Sequence, residues 1–117
     1  MAVVHPVSVR PRGGKAEKSA VAAERVVSGK PTTTARNDFS NAKGRFHCGV
    51  WTSSKGAWKV NYGEDEFVVL LAGSVKLTAK DGSSRTYKAG DAFVIPKGFK
   101  GTWESLEAVR KYYAIAE

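Results

Sequence analysis

Residues 90–104, GDAFVIPKGFKGTWE, carry the clearest structural signal in the chain. A glycine opens the stretch, an apolar segment follows, a Pro-x-Gly turn interrupts it, and a second segment rich in β-formers closes it. The same pattern continues from residue 46 to residue 117, where short segments of β-branched and aromatic residues alternate with glycine. This pattern is typical of an all-β sandwich or barrel.

Eight strands are predicted in this part of the chain. The segment 80–83, KDGS, predicts a tight hairpin because Asp-Gly adopts positive φ readily. FVVLL, residues 67–71, does not alternate, so we expect it to be covered on both faces. The predicted strands are residues 46–52, 57–62, 66–72, 74–79, 84–89, 92–96, 100–105 and 109–116.

The 117 residues fit one domain, and no apolar run approaches the about 20 residues of a membrane-spanning helix. The single cysteine, Cys48, cannot form an internal disulfide, and the first residues are too interrupted for a signal peptide. We therefore expect a cytoplasmic protein that does not associate with membranes.

The basic charge is concentrated at the N-terminus. Residues 1–45 hold nine Lys/Arg and three Asp/Glu, a net charge of +6 out of +8 for the whole chain. Residues 1–38 contain no aromatic side chain, which argues against nucleic-acid binding. Residues 15–27 have the propensity of a short helix, and residues 28–44 have the composition of a loop. We predict a basic N-terminal arm with early strands over 1–45 and a β-domain over 46–117.

Two blocks resemble the paired motifs of the cupin superfamily. Residues 66–73, EFVVLLAG, place a glutamate and a glycine with six residues between them, and residues 90–98, GDAFVIPKG, place Pro96 and Gly98 after Gly90. Over about residues 46–116 the chain is similar to small single-domain cupins related to ureidoglycine aminohydrolase and to the Q-type ethanolamine-utilisation protein. The resemblance implies a single-domain jelly-roll β-barrel, preceded here by the N-terminal arm, and a homodimer.

The chain departs from this family at the metal ligands. Metal-binding cupins supply two histidines and a glutamate from the first motif and a histidine from the second, a donor set suited to Mn, Fe, Ni or Zn. The corresponding histidine positions fall on Lys59 and Asn61, or on Val60 and Tyr62 with the shorter spacing, and on Gly101. Only Glu66 is retained. We predict no conventional metal site and no cofactor.

The resemblance places Glu66 inside the barrel mouth, where a carboxylate must be paired, hydrogen-bonded or protonated. Glu66 is the candidate catalytic acid or base, although an ion pair with a lysine such as Lys59 explains it equally well. Strand alternation places Lys111 and Arg110 on opposite faces, so that Lys111 is either directed toward Glu66 or exposed. The predicted ligand-binding residues are Lys59, Asn61, Tyr62, Phe93, Trp103 and Lys111.

The family resemblance suggests a protein that binds or transforms a small polar metabolite, such as an amino or ureido compound. The residues alone leave open whether it is an enzyme. A non-enzymatic ligand sensor or accessory protein is one alternative, and an interaction module that uses the basic arm is another.

Overall fold

The computed structural model describes residues 3–117, which form eleven β-strands and one short 3-10 helix, Ala23–Arg25. The strands are β1 (Glu17–Ala20), β2 (Val26–Ser28), β3 (Thr32–Ser40), β4 (Phe46–Ser53), β5 (Gly56–Asn61), β6 (Asp65–Ala72), β7 (Ser74–Ala79), β8 (Ser84–Lys88), β9 (Ala92–Ile95), β10 (Lys100–Ser105) and β11 (Val109–Ala116). Within residues 3–117, no helix is long and apolar enough to cross a membrane.

The strands form two antiparallel sheets. One sheet has six strands in the order β1-β3-β4-β11-β6-β9, and the other has five in the order β2-β5-β10-β7-β8. The predicted all-β fold is confirmed, but in the part of the chain described no ladder joins the two sheets into a closed barrel. The architecture is a jelly-roll-like sandwich in which the strands at the sheet edges remain unpaired with the opposite sheet.

The eight strands predicted from residue 46 onward are confirmed, with ends that differ by at most one residue. The KDGS hairpin between β7 and β8 shows why the local signal was strong. Gly82 has a φ of 89°, and the Ser83 N–H donates to the Asp81 carboxylate at 2.9 Å. Hydrogen bonds from the Ser83 hydroxyl and N–H hold the pKa of Asp81 below its usual value.

The expectations for residues 15–44 were wrong. The predicted helix is replaced by β1, the 3-10 turn and β2, and the predicted loop contains the nine-residue strand β3. Tertiary pairing overrides local propensity here, because β1 pairs with β3, β2 pairs with β5, and β3 pairs with β4. Residues 1–45 therefore contribute three strands to the sheets. A division of the chain at residue 45 stays a prediction.

The core lies between the two sheets. Val68, Leu70, Val75, Ile95 and Trp103 are each at most 2% exposed. The prediction that FVVLL is covered on both faces was wrong, since β6 alternates strictly between buried and more exposed positions. Phe67 lies on the outer face and is 47% exposed.

Candidate functional site

A cavity of about 650 Å³ opens between the inner faces of the two sheets. All three tryptophans of the chain, Trp51, Trp58 and Trp103, line it, and we call it the tryptophan cavity. Their rings form one cluster with centroid separations between 5.4 and 6.3 Å. The cavity therefore has a rigid aromatic floor, of the size and character common for small-molecule sites.

A buried ion pair lies on this floor. The Lys111 ammonium is 2.6 Å from a carboxylate oxygen of Glu66, and their side chains are 5% and 8% exposed. The two residues are not cross-strand neighbours, because Glu66 is opposite Ile115 and Lys111 is opposite Leu70. The long lysine side chain reaches along the inner face of the sheet to make the contact. Each charge is the counter-charge of the other in a buried place, where an unpaired charge would destabilise the fold.

Two indole rings complete the surroundings of the ammonium. Lys111 Nζ lies 4.4 Å from the centroid of the Trp51 ring and 4.5 Å from that of Trp103. These distances are within the range of cation–π attraction. Trp103 is itself anchored, because its Nε1 donates to the Ser105 hydroxyl at 2.9 Å. The ion pair and the aromatic floor thus form one preorganised unit.

Tyrosines add neutral polar groups to the wall. Burial, followed by the charge of Glu66, raises the pKa of Tyr62 far above its usual value, and the positive charge of Arg25 lowers it only in part. Burial also raises the pKa of Tyr113 to about 12, with further contributions from Asp38, Cys48 and Glu66. Both phenols therefore keep their protons at physiological pH. The Tyr113 hydroxyl donates to Asn37 Oδ1 at 2.9 Å.

His47 lies in the cavity wall, and both of its ring nitrogens form hydrogen bonds within the protein. Its Nε2 donates to the Gly44 carbonyl at 3.0 Å, and its Nδ1 shares a hydrogen bond with the Ser40 hydroxyl at 2.7 Å. Acidic and basic side chains, including Glu17, Glu64 and Arg25, also line the cavity.

The structure brings five of the seven predicted site residues into this cavity, namely Glu66, Asn61, Tyr62, Trp103 and Lys111. Their roles in binding or catalysis stay predictions. The open question about Lys111 is resolved, because its side chain is directed inward and it is the partner of Glu66.

Two of the predicted site residues lie outside this cavity. Lys59 is exposed, because Trp58 and Val60 on either side of it in β5 occupy the inner face. Phe93 is buried near the opposite edge of the sandwich, stacked on Tyr87 with ring centroids 3.9 Å apart, and lines a different cavity. Neither residue lines the tryptophan cavity.

Sequence reasoning missed several lining residues, such as Trp51, Tyr113 and His47. The available signal was strand alternation in β4 and β11. His47, Gly49 and Trp51 pair with Ile115, Tyr113 and Lys111, so one inward-facing residue identifies the others. The sequence did not reveal that β4 and β11 are neighbours.

The histidine position of the second motif is closed by the backbone. A Cβ placed on Gly101 would lie 1.9 Å from the carbonyl oxygen of Thr78 on the neighbouring strand β7. Strand β7 therefore passes too close for any side chain at Gly101 without a shift of the backbone.

The residues present do not fit a conventional cupin metal. The carboxylate of Glu66 is bound by an ammonium that would repel a divalent cation, and the three histidine positions hold no histidine. Across residues 3–117, no cluster of three or more His, Cys, Asp or Glu side chains could hold a metal ion. We derive no chemistry through a metal, and the lack of a bound metal in solution stays a prediction.

A two-sheet jelly-roll-like sandwich with the glutamate of the first motif inside it is the architecture of a cupin. Residues 40–113 match the family of EutQ-like cupin domains, and the chain belongs to this family. The predicted resemblance to cupins with Q-type ethanolamine-utilisation relatives is confirmed. No curated protein matches the chain.

Solved structures have the same fold. A DUF861-family protein of unknown function from Pseudomonas syringae pv. tomato is 27% identical, with a TM-score of 0.79 over 88% of this chain and 45% of that one. The EutQ protein of Clostridium difficile is 20% identical, with a TM-score of 0.66 over 74% of this chain and 63% of that one. A putative ethanolamine utilization protein Q from Salmonella typhimurium is 17% identical, with a TM-score of 0.65 over 87% and 95%.

The two EutQ structures show similarity of fold alone. The chain also spans less than half of the Pseudomonas protein and less than two thirds of the Clostridium protein. A specific ligand does not follow from these relatives.

Proposed function

We propose that the protein binds a small polar metabolite, an amino or ureido compound, in the tryptophan cavity. The observation that carries the proposal is the buried Glu66–Lys111 pair, set on two indole rings in a cavity large enough for a metabolite. A charged pair retained inside an aromatic pocket provides polar groups in fixed positions, which are what give such pockets specificity.

The pair presents an acceptor beside a donor. The carboxylate of Glu66 accepts from an N–H or ammonium group, and the ammonium of Lys111 donates to a carbonyl or carboxylate oxygen. A ureido or amide group carries the complementary donor and acceptor on one planar unit. The flat indoles offer a stacking surface for such a plane, and Tyr62 offers a neutral hydroxyl.

Binding without turnover is favoured over catalysis. Glu66 remains the candidate acid or base, but it is held by Lys111 at 2.6 Å and would have to exchange that partner for a substrate proton. A sensor or accessory role requires only that a ligand join the existing pair. The third alternative, an interaction module in the basic arm, is weakened because Arg12 pairs with Asp38 and Arg36 binds the Arg12 and Gly13 carbonyls.

Tryptophan fluorescence provides a direct test, because all three tryptophans line the cavity. Titration with N-carbamoylglycine, glycinamide and ethanolamine should give a saturable change in emission for at least one of them. Glu66→Gln should weaken binding about tenfold or more, by removing a charge-assisted hydrogen bond. Glu104→Gln is the matched control, since Glu104 follows the inward-facing Trp103 in β10 and belongs to the outer face.

The proposal is rejected if none of these compounds changes the emission or the melting temperature of the wild type at millimolar concentration. It is also rejected if Glu66→Gln, folded by circular dichroism, binds as the wild type does. Release of ammonia from N-carbamoylglycine or glycinamide, lost in Glu66→Gln, would show catalysis instead of binding alone. The cytoplasmic location remains part of the proposal.

A further inference from the structure

We propose that a second cavity, at the opposite seam of the sandwich, binds a small monocarboxylate with an apolar tail. Strand β9 is the edge of the six-stranded sheet and β8 is the edge of the five-stranded sheet. Their ladders run only to β6 and β7, so the sandwich is open between them. A cavity of about 570 Å³ lies there, and we call it the seam cavity.

The floor and walls of the seam cavity are apolar. Leu77, Phe93 and Ile95 reach it from the core, where they are 8%, 8% and 2% exposed. Phe99 and the stacked ring of Tyr87 close the sides. This surface suits an aliphatic or aromatic tail, and the volume is within the usual range of small-ligand sites.

One charge lies among the residues that line this cavity, and it is positive. Arg85 pairs across the β7–β8 ladder with Leu77, so it occupies an inward-facing position on the edge strand while its side chain remains exposed. Within residues 3–117 no carboxylate forms an ion pair with it. A guanidinium above an apolar floor complements a carboxylate, which it can bind through two parallel hydrogen bonds.

The two cavities differ in charge. Carboxylates and cations together line the tryptophan cavity, namely Glu17, Glu64, Glu66, Arg25 and Lys111, whereas the seam cavity has Arg85 and no carboxylate among its lining residues. An inward-facing arginine on an edge strand also discourages pairing with another sheet. That protective role requires no ligand, so a binding experiment distinguishes the two explanations.

The experiment measures binding of octanoate, octylammonium and octan-1-ol to the full chain by isothermal titration calorimetry. Octanoate should bind at least tenfold more tightly than octylammonium. Ala35→Phe, from a residue in the wall of the tryptophan cavity, should leave octanoate binding unchanged. Loss of octanoate binding in Ala35→Phe would place octanoate in the tryptophan cavity and overturn the proposal.

Two variants test the two halves of the site. Arg85→Gln should weaken octanoate binding about tenfold or more and leave octan-1-ol unaffected, since only the carboxylate loses a partner. Ala79→Phe, from a residue in the cavity wall, should fill the space and weaken both ligands. Arg110→Gln is the matched control, because it removes an exposed arginine from the outer face of the other sheet.

Equal affinity for octanoate and octylammonium, or no heat of octanoate binding at millimolar concentration, would overturn the proposal. So would an Arg85→Gln variant that is folded by circular dichroism and binds octanoate as the wild type does. These outcomes are independent of the proposed function, which uses a different cavity, different ligands and a fluorescent readout.

Discussion

At the scale of single residues, the ion pair between Glu66 and Lys111 matters both for the stability of the fold and for the proposed binding site. Burying either charge alone is unfavourable, and neither has another ion-pair partner within residues 3–117. The sequence identified Glu66, named Lys59 as an example of a possible partner, and left Lys111 either directed toward Glu66 or exposed. The choice between two lysines depended on which strand positions face the cavity.

Lys111→Met should destabilise the protein by about 3–5 kcal/mol, because it leaves the Glu66 carboxylate buried without a counter-charge. Urea denaturation monitored by circular dichroism measures the change. Glu66→Gln should cost less, about 2 kcal/mol, since the amide oxygen can still accept from the ammonium. Lys59→Met, on the exposed side of β5, should stay within about 0.5 kcal/mol of the wild type. A Lys111→Met variant as stable as this control would contradict the structural role of the pair.

The buried tyrosines predict a loss of stability at alkaline pH. The unfolded chain binds fewer protons than the folded one once the pH exceeds the ordinary tyrosine pKa of about 10, so stability falls as the pH rises from there. For Tyr113 the loss extends to its folded pKa of about 12, and for Tyr62 it continues beyond. Below pH 10 this contribution is fully present.

Melting temperatures between pH 9 and 12 measure the effect. Tyr62→Phe and Tyr113→Phe should each flatten the decline relative to the wild type, whereas Tyr112→Phe, on the outer face of β11, should not. If all three variants decline as steeply as the wild type, these phenols do not carry the pH dependence.

At the scale of elements, close approach of neighbouring strands decides what a position can hold. Gly101 corresponds to a metal-ligand position in the family pattern. The Thr78 carbonyl on β7 leaves no space there for a Cβ. The backbone of β7 therefore excludes every side chain at this position, whatever its chemistry.

Gly101→Ala should therefore destabilise the protein by about 2 kcal/mol or more, because a backbone carbonyl must move to relieve the contact. Gly63→Ala is the control, since a Cβ there would meet nothing within 4 Å and the φ of Gly63 is not positive. The free energies of unfolding from urea titrations compare the two. Equal stability of both variants would show that β7 and β10 separate readily, and that the position is less closed than the structure indicates.

At the scale of the whole molecule, the outer face of the six-stranded sheet is the candidate interface of the expected homodimer. One cross-strand row on this face joins five mostly apolar residues, Phe39, Cys48, Ala114, Phe67 and Val94. Phe39, Phe67 and Val94 are 39%, 47% and 57% exposed. A row of this kind is suited to burial against a second copy through a two-fold axis.

We propose a homodimer through this face and expect twice the chain mass of 12.6 kDa by light scattering at micromolar concentration. Phe67→Lys should give the monomer mass, because it buries an unpaired charge in the interface. Thr86→Lys is the control, an exposed substitution on the other sheet. A monomer mass for the wild type, or a dimer that Phe67→Lys leaves intact, would contradict this interface.

The sequence by itself determined the β-strands from residue 46 onward, the family and the presence of an inward glutamate. These depend on local signals, namely period-two alternation, Asp-Gly and Pro-x-Gly turns, and the spacing of two short motifs. The strands at 17–40 lack such signals, and they form because β4 and β5 offer edges to pair with.

The tertiary structure alone decided the partner of Glu66, the closure of Gly101 and the separation of Phe93 from the tryptophan cavity. Each depends on which strands become neighbours and in what register. Residues 45 positions apart in the chain, such as Glu66 and Lys111, meet only after both sheets have formed. A local sequence pattern does not indicate which distant residues will be in contact. For this reason most of the residue types in the site could be predicted from the sequence, but their contacts could not.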